Sequence, residues 1–230
     1  MKKLTLAALT LALLLIGTNG FAITIDIFKA DNSESISDWI SALNGETTVL
    51  ENFENIATGW YPELTTKIGT FTAGGSAGGG ATAYPGSDGP QFSIREEQWY
   101  GRGNTTEDGS KYLDSGDITE LRLELALSVT NLFFYLQDPS DVGATTTVEA
   151  NGSTSESYTL GSQANNGLFF IGIASDTPLD SIYWITSNNN DGYGLDDLST
   201  VAPVPEPATL LLLGTGLIGI AGISRRKLKK

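Results

Sequence analysis

The 230-residue sequence contains neither cysteine nor histidine. Without these side chains the chain cannot assemble a Ser-His-Asp or Cys-His catalytic site, or a zinc site with the usual nitrogen and sulfur ligands. It also cannot form disulfides, so a domain outside the cytoplasm would have to derive its stability from its core alone. Chemistry based on carboxylates and on hard cations with oxygen ligands remains open.

Positive charge is scarce in the middle of the chain and concentrated at its two ends. Between Asp26 and Glu206 there are 27 acidic residues and only six basic ones, which gives a net charge of −21. A domain with this charge should stay soluble, repel anionic surfaces and attract cations. It will not bind nucleic acid by neutralising phosphates.

The first 22 residues have the pattern of a secretory signal peptide. Lys2 and Lys3 precede an apolar segment over residues 4–16, and small residues follow up to Ala22. This order of a basic region, a short apolar region and a small-residue cleavage site predicts export with cleavage after Ala22. The alternative is an uncleaved helix, although a spanning helix normally needs about 20 apolar residues.

The last 27 residues combine a proline motif, an apolar run and a basic end. Residues 208–223 carry no charge, and as a helix they would span about 24 Å against a hydrocarbon core of about 30 Å. They therefore predict a marginal transmembrane helix, whose basic end would stay in the cytoplasm. The residues that flank this run and define the motif are Pro205, Glu206, Pro207, Arg225 and Arg226.

This tail resembles the PEP-CTERM sorting signal of exported proteins in Gram-negative bacteria that make exopolysaccharide. In that family an exosortase, a membrane transpeptidase-like enzyme, recognises the Pro-Glu-Pro motif, and the tail is removed in transit. The resemblance implies exosortase and the export machinery as partners, transient anchoring in the inner membrane through the C-terminal helix, and delivery to the cell surface or beyond. The two prolines suit this role because they keep the segment extended. The alternative is a linker before a permanent anchor.

The sequence between the terminal segments, residues 23–201, is predicted to be a mainly β domain, with residues 202–230 as the sorting segment. One short helix is predicted over residues 32–43, capped by Ser33 or Ser35 and closed by Gly45. About ten β-rich runs follow it, which predicts a two-sheet sandwich. The glycine-rich residues 73–90 are predicted to be a flexible loop. The β-rich runs are 47–53, 67–72, 91–94, 120–127, 131–137, 145–150, 156–160, 168–173, 181–186 and 195–201.

Three stretches of the body, TTVLENFENIATG, FFIGIASDTPLDSIYWI and GYGLDDLSTV, carry a second resemblance. They resemble a jelly-roll pattern common in PEP-CTERM proteins and distantly similar to lectin-like and carbohydrate-binding modules. The resemblance implies a jelly-roll-like β-sandwich and polysaccharide as a candidate ligand.

Acidic side chains form the first candidate site. Two of them lie on or beside the first of the predicted strands and two on the last. In jelly rolls of the resembling kind these strands are neighbours and often hold a structural calcium, whose oxygen ligands the carboxylates and the loop 188–191 would supply. The alternatives are a solvated acidic edge that deters strand pairing and the acid–base pair of a glycan hydrolase. The four residues are Glu51, Glu54, Asp196 and Asp197.

Aromatic side chains beside loops form the second candidate site. Trp60 and Trp99 are predicted to stack on sugar rings, with half-buried packing as the alternative. In a strand Trp99 and Tyr100 would point to opposite sides, so one ring would enter the core while the other stays available. Trp184 alternates with Ile182 and is predicted to lie in the core.

Taken together, these patterns predict a non-catalytic, exported surface or matrix protein that binds glycan, with structural calcium as the one candidate cofactor. Two alternatives remain open at this point. One is a carboxylate-dependent glycan hydrolase, and the other is a purely structural envelope protein.

Overall fold

Two antiparallel β-sheets and one helix make up the described part of the computed structural model, residues 22–78, 89–154 and 156–203. The helix is α1 (Ser33–Ala42). The predicted signal peptide, apart from Ala22, and the sorting segment from residue 204 onward lie outside the described residues. The strands are β1 (Ile23–Lys29), β2 (Gly45–Glu51), β3 (Gly59–Tyr61), β4 (Glu63–Thr65), β5 (Gly69–Ala77), β6 (Phe92–Arg95), β7 (Tyr112–Asp114), β8 (Ile118–Leu125), β9 (Asn131–Gln137), β10 (Thr146–Ala150), β11 (Ser157–Leu160), β12 (Leu168–Ser175), β13 (Ser181–Thr186) and β14 (Gly194–Pro203).

The larger sheet has eight strands in the order β1-β12-β9-β14-β7-β6-β3, with β2 paired to β14 beside this path. The smaller sheet has six strands in the order β11-β10-β13-β8-β5-β4. From β8 onward the chain passes repeatedly between the sheets, since β9, β12 and β14 lie in the larger one and β8, β10, β11 and β13 in the smaller. This antiparallel arrangement with repeated crossing confirms the predicted jelly-roll-like β-sandwich.

The main hydrophobic core lies between the two sheets. Phe134 of β9 and Trp184 of β13 meet edge to face across it, with ring centroids 5.3 Å apart. Leu121 and Leu123 of β8 and Ile182 of β13 are also fully buried in this core. Alternate residues of these strands therefore face the partner sheet, as strand geometry requires, and the predicted core position of Trp184 is confirmed.

Helix α1 packs on the outer face of the larger sheet. Ile36 and Trp39 of the helix join Phe133, Phe170 and Val201 in a second, smaller cluster. The predicted helix is confirmed, but its caps differ. The side chain of Asn32, which precedes the helix, accepts a hydrogen bond from the Ser35 N–H at 3.3 Å, and the left-handed residue after the helix is Asn44, with a φ of 51°. Gly45 begins β2 instead of closing the helix.

The predicted strands agree with the structure where the apolar pattern is long. The bounds of β9 and β13 coincide with the predicted ones. Strands β1, β3, β4 and β7 were not predicted; three of these are only three residues long. Residues 73–77, predicted as part of a loop, are the end of β5, because β8 supplies the backbone partners and glycine is tolerated at the irregularity between Gly74 and Ala77.

Candidate functional site

A cleft of about 620 Å³ opens at one end of the eight-stranded sheet. At this end β9 and β7 finish, and β12 and β14 begin, so that Gly194 lies opposite both Gln137 and Asp114. The loops that follow or precede these strands, residues 115–117, 138–145, 161–167 and 187–193, therefore converge here. Four separate connections contribute side chains to one concave surface.

A tight hairpin at Trp99–Arg102 forms the rim of this cleft. The two residues exchange backbone hydrogen bonds of 2.9 and 3.0 Å. Tyr100 and Gly101 between them have φ angles of 45° and 89°, as a two-residue type I′ turn requires. The Gly103 N–H donates to Gln137 Oε1 at 2.6 Å and fixes the hairpin over the end of β9. The turn consequently presents two aromatic side chains at the mouth of the cleft.

Both of these aromatic side chains are accessible. Trp99 is 41% exposed and Tyr100 is 77% exposed, and their rings meet edge to face at 5.0 Å. The prediction that one of them would enter the core is wrong, because the pair lies in a turn and not in a strand. Tyr100 was predicted as one of the loop aromatics but not as a leading stacking candidate, and it is the most exposed of the large hydrophobic side chains in the described structure.

Trp60 and Trp99, the two predicted stacking residues, are brought together by Arg95. The guanidinium carbon of Arg95 lies over the Trp60 ring at 5.2 Å and over the Trp99 ring at 4.5 Å. A guanidinium held in this way covers one face of each ring. Tyr100 and the exposed surface of Trp99 are the larger aromatic surfaces available to a ligand. Trp60 also lines the cleft, from the half-buried strand β3.

A buried carboxylate, that of Asp114, holds Arg95 and Arg102 in place. Asp114, at the end of β7, is fully buried and forms ion pairs with Arg95 at 2.6 Å and with Arg102 at 3.3 Å. Burial raises the pKa of Asp114, and the two guanidiniums oppose that rise. A Cβ at Gly192 would overlap with the backbone carbonyl of Gly116 and with the Arg102 guanidinium, so glycine is needed there.

Carboxylates and amides form the polar wall of the cleft. Asp117, Asp138, Asp141, Asn165 and Asn190 all line it. Asp138 Oδ1 accepts a hydrogen bond of 2.6 Å from the Asn166 N–H, and burial raises the pKa of Asp138. The guanidiniums of Arg95 and Arg102 already pair with Asp114 and do not neutralise these acids. The polar wall of the cleft therefore carries a net negative charge and offers mainly hydrogen-bond acceptors.

The predicted acidic site lies outside this cleft, and donors of the protein engage its carboxylates. Strand β2 does pair with β14, with Glu51 opposite Leu198, but β1 precedes it and is the first strand. Glu51 Oε1 accepts from the Phe53 N–H at 2.8 Å. Glu54 Oε1 accepts from the N–H groups of Ser110 and Lys111, both at 2.7 Å. These two carboxylates are thus engaged by backbone donors of the protein.

Asp196 and Asp197 are held by another pair of residues, Thr105 and Thr106. Asp196 Oδ2 accepts from the Thr105 N–H at 2.7 Å, and Asp197 Oδ1 accepts from the Thr106 hydroxyl at 2.6 Å. Burial raises the pKa of Asp196 to about 7. Within residues 22–78, 89–154 and 156–203 no three acidic side chains form a group that could hold a metal ion. The N–H and O–H donors fit these four acids better than a shared calcium, whose binding stays a prediction.

Comparison with known proteins places a sorting motif at the C-terminus. Residues 203–227 match the family model described as the PEP-CTERM protein-sorting motif. The match includes Pro205, Glu206, Pro207, Arg225 and Arg226, as predicted. In the part of the chain that the structure describes, no helix is long and apolar enough to cross a membrane, and the predicted transmembrane helix lies outside that part.

No curated protein matches the sequence, whereas several solved structures are similar at low identity. A family 11 carbohydrate-binding module of the cellulosomal cellulase Lic26A-Cel5E of Clostridium thermocellum is 10% identical, with a TM-score of 0.37 over 70% of this chain and 98% of that one. The CBM22-1 xylan-binding domain of Paenibacillus barcinonensis Xyn10C is 15% identical, with the same TM-score and coverage.

The enzymatically active domain of tailspike protein 4 of bacteriophage CBA120 is also similar, at 10% identity and a TM-score of 0.35. The match covers 70% of this chain but spans only 22% of that domain. These values describe likeness in fold. The specific identification comes from the tail: this chain carries a PEP-CTERM sorting motif, which marks it for export and exosortase processing.

Proposed function

We propose that this chain is a non-catalytic glycan-binding protein of the cell surface or extracellular matrix of an exopolysaccharide-producing Gram-negative bacterium. The observation that carries the proposal is the cleft, where the exposed rings of Trp99 and Tyr100 stand beside a wall of carboxylate and amide groups. Aromatic faces pack against the apolar faces of sugar rings, and carboxylates and amides accept and donate hydrogen bonds to their hydroxyls. The size of the cleft is that of a small-ligand site.

The acids that line the cleft separate the binding proposal from an enzymatic one. Glycoside hydrolysis needs two carboxyl groups that flank the scissile bond. Asp138 is 3% exposed and its carboxylate accepts a backbone hydrogen bond, whereas Asp117 and Asp141 also line the cleft. A hydrolase would therefore use Asp117 and Asp141. A glycan hydrolase remains the second candidate, and release of reducing ends from a polysaccharide panel would identify it.

Trp99→Ala and Tyr100→Ala are each expected to weaken glycan binding by about twofold to twelvefold, because each ring contributes about 0.5–1.5 kcal/mol of contact free energy. Trp60→Ala should have a smaller effect, since Trp60 lies in the half-buried strand β3 and is less exposed than Trp99. Affinity electrophoresis in gels that contain neutral polysaccharides measures the retardation of each variant, and circular dichroism verifies its fold.

Tyr158→Ala is the matched control for these substitutions. Tyr158 is 46% exposed on β11, outside the cleft, so its loss should leave retardation unchanged. If no glycan retards the wild-type protein, or if Tyr158→Ala weakens binding as much as Tyr100→Ala does, the cleft is not a glycan site. A purely structural role in the envelope would then be the better account.

The mature protein is expected to begin at Ile23 and to lack the hydrophobic and basic part of the tail, residues 210–230. The reason is that both ends carry processing segments, a signal peptide and a sorting motif. Intact-mass spectrometry of the protein from its native host measures both ends together. A mass that retains the basic end would contradict removal of the tail and indicate a permanent anchor.

A further inference from the structure

The charges around the cleft limit the class of glycan that it can hold. Arg95 and Arg102 line the cleft, but both form ion pairs with the buried Asp114 behind it. Together with Asp114, the acids that line the cleft make four acidic side chains against two basic ones. An anionic group of a ligand would therefore meet like charge there, which is unfavourable. The three lining acids are Asp117, Asp138 and Asp141.

Acceptor oxygens lie directly beside the aromatic turn of the cleft. Gly101 follows Tyr100 in this turn, and a Cβ at Gly101 would lie 2.9 Å from Asn165 Oδ1 and 3.0 Å from Asp138 Oδ2. Asn166 Oδ1 lies closer still to the same point. The edge of a sugar ring that packs on Tyr100 would therefore meet carboxylate and amide oxygens, which accept hydrogen bonds.

Acidic side chains also line the surface on the other side of Trp99. A second depression of about 330 Å³ shares Arg95 and Trp99 with the cleft, and Glu96 and Glu97 line it. Lys111 approaches Glu96 at 3.7 Å, but the Glu96 side chain remains 56% exposed. A glycan chain that crosses Trp99 would therefore meet carboxylates on both sides of the ring.

We propose that the cleft binds a glycan whose sugars carry free amino groups. This inference rests on the proposed glycan-binding function and adds the charge class of the ligand. A protonated amino group has three N–H donors and a positive charge, so it matches a wall of carboxylates and amide oxygens. An N-acetyl group at the same position is neutral and has a single N–H donor. Uronic acid, sulfate and phosphate groups carry the charge that the wall repels.

Titration calorimetry of the full chain with two matched ligands tests the proposal. The ligands are a glucosamine hexamer and its fully N-acetylated counterpart, at a pH of about 6 that keeps the amino groups protonated. At about 0.15 M salt the Debye length is about 8 Å, so charges far from the cleft contribute little. The glucosamine hexamer should bind about tenfold more tightly, because charge-assisted hydrogen bonds are about twice as strong as neutral ones. A galacturonic acid hexamer should bind more weakly than either.

Three variants locate the preference in the cleft. Asp141→Asn keeps the shape of the side chain and should remove most of the difference between the two hexamers. Tyr100→Ala should weaken the binding of both. Asp38→Asn removes one charge from the exposed surface of α1, outside the cleft, and should leave the difference intact. If Asp141→Asn fails to fold, Asp117→Asn takes its place, since Asp117 lines the same cleft.

The outcomes separate this inference from the proposed function. If both hexamers bind with equal affinity, or the acetylated one binds more tightly, and Tyr100→Ala weakens that binding, the amino-sugar inference is overturned and the glycan site stands. Binding of the glucosamine hexamer that Tyr100→Ala leaves unchanged also overturns it, because general attraction to the acidic domain would then be the cause. If neither hexamer binds, the inference fails, and electrophoresis with neutral polysaccharides decides the proposed function separately.

Discussion

Replacing Asp114 with alanine is expected to lower the free energy of unfolding by about 3–5 kcal/mol, the usual cost of removing one partner from a buried ion pair. Asp114 is fully buried between Arg95 and Arg102. Its loss would leave the guanidinium of Arg102, whose side chain is 6% exposed, in the interior without a counter-charge. Urea denaturation at pH 7 measures the effect, and near-ultraviolet circular dichroism should report the loosened tryptophan pair above Arg95.

The matched control is Glu124→Ala, which breaks a surface ion pair with Arg122. Those side chains are 58% and 41% exposed, and water screens such pairs, so the expected loss is below about 1 kcal/mol. Equal stability of the Asp114 and Glu124 variants would contradict a supporting role for Asp114 and would mean that the guanidiniums find other partners.

The domain is also expected to lose stability as the pH rises from about 4 to about 7. Burial raises the pKa of Asp196 to about 7 from its ordinary value of 3.8, so the folded state binds a proton that the unfolded state has already released. Proton binding therefore stabilises the folded state fully below the unfolded pKa, and this stabilisation is lost as the pH rises through the folded pKa. Burial also raises the pKa values of Asp114, Asp138 and Asp191, so these groups add to the loss of stability as the pH rises.

Asp196→Asn isolates the contribution of that one group. The variant loses hydrogen bonds at every pH, but its residue 196 cannot titrate. The difference between the two proteins in how the free energy of unfolding changes with pH therefore reports the titration of Asp196 alone. Between pH 4.5 and 7.5 the wild type should lose about 2–4 kcal/mol more than the variant, at about 1.36 kcal/mol per pKa unit. Urea denaturation at the two pH values, in EDTA, gives this double difference. Parallel changes in the two proteins would show that Asp196 titrates normally.

The parts of the fold that were predictable from sequence are those where a local pattern is long. Strands β9 and β13 alternate or run apolar over six or seven residues and were placed correctly. Strands β3 and β7 have three residues each, and what makes them strands is pairing with β6, which no local pattern reports. Strand β1 does alternate apolar and polar residues, but it follows the cleavage site directly and was not recognised.

The candidate site was predictable only in its residue types. Trp60 and Trp99 were identified because they lie near turn-forming residues, yet their shared contact depends on Arg95. That contact in turn depends on Asp114, which the pairing of β6 with β7 brings opposite Ser93. The exposure of Tyr100 follows from the two-residue turn at Tyr100 and Gly101, both with positive φ angles, and Gly101 was the available sequence signal. The acidic prediction paired the correct strands but could not foresee that backbone and threonine donors would occupy the carboxylates.

The position of β14 determines how a mechanical load would enter this domain. The sorting motif begins at residue 203, the last residue of β14, and this strand is hydrogen-bonded to β9 on one side and to β7 and β2 on the other. A pull on the tail along the strand axis would load these hydrogen bonds together in shear. A pull on the N-terminus would load only the hydrogen bonds between β1 and β12, because β1 lies at the edge of the sheet. The end that meets the sorting machinery is therefore the force-resistant end.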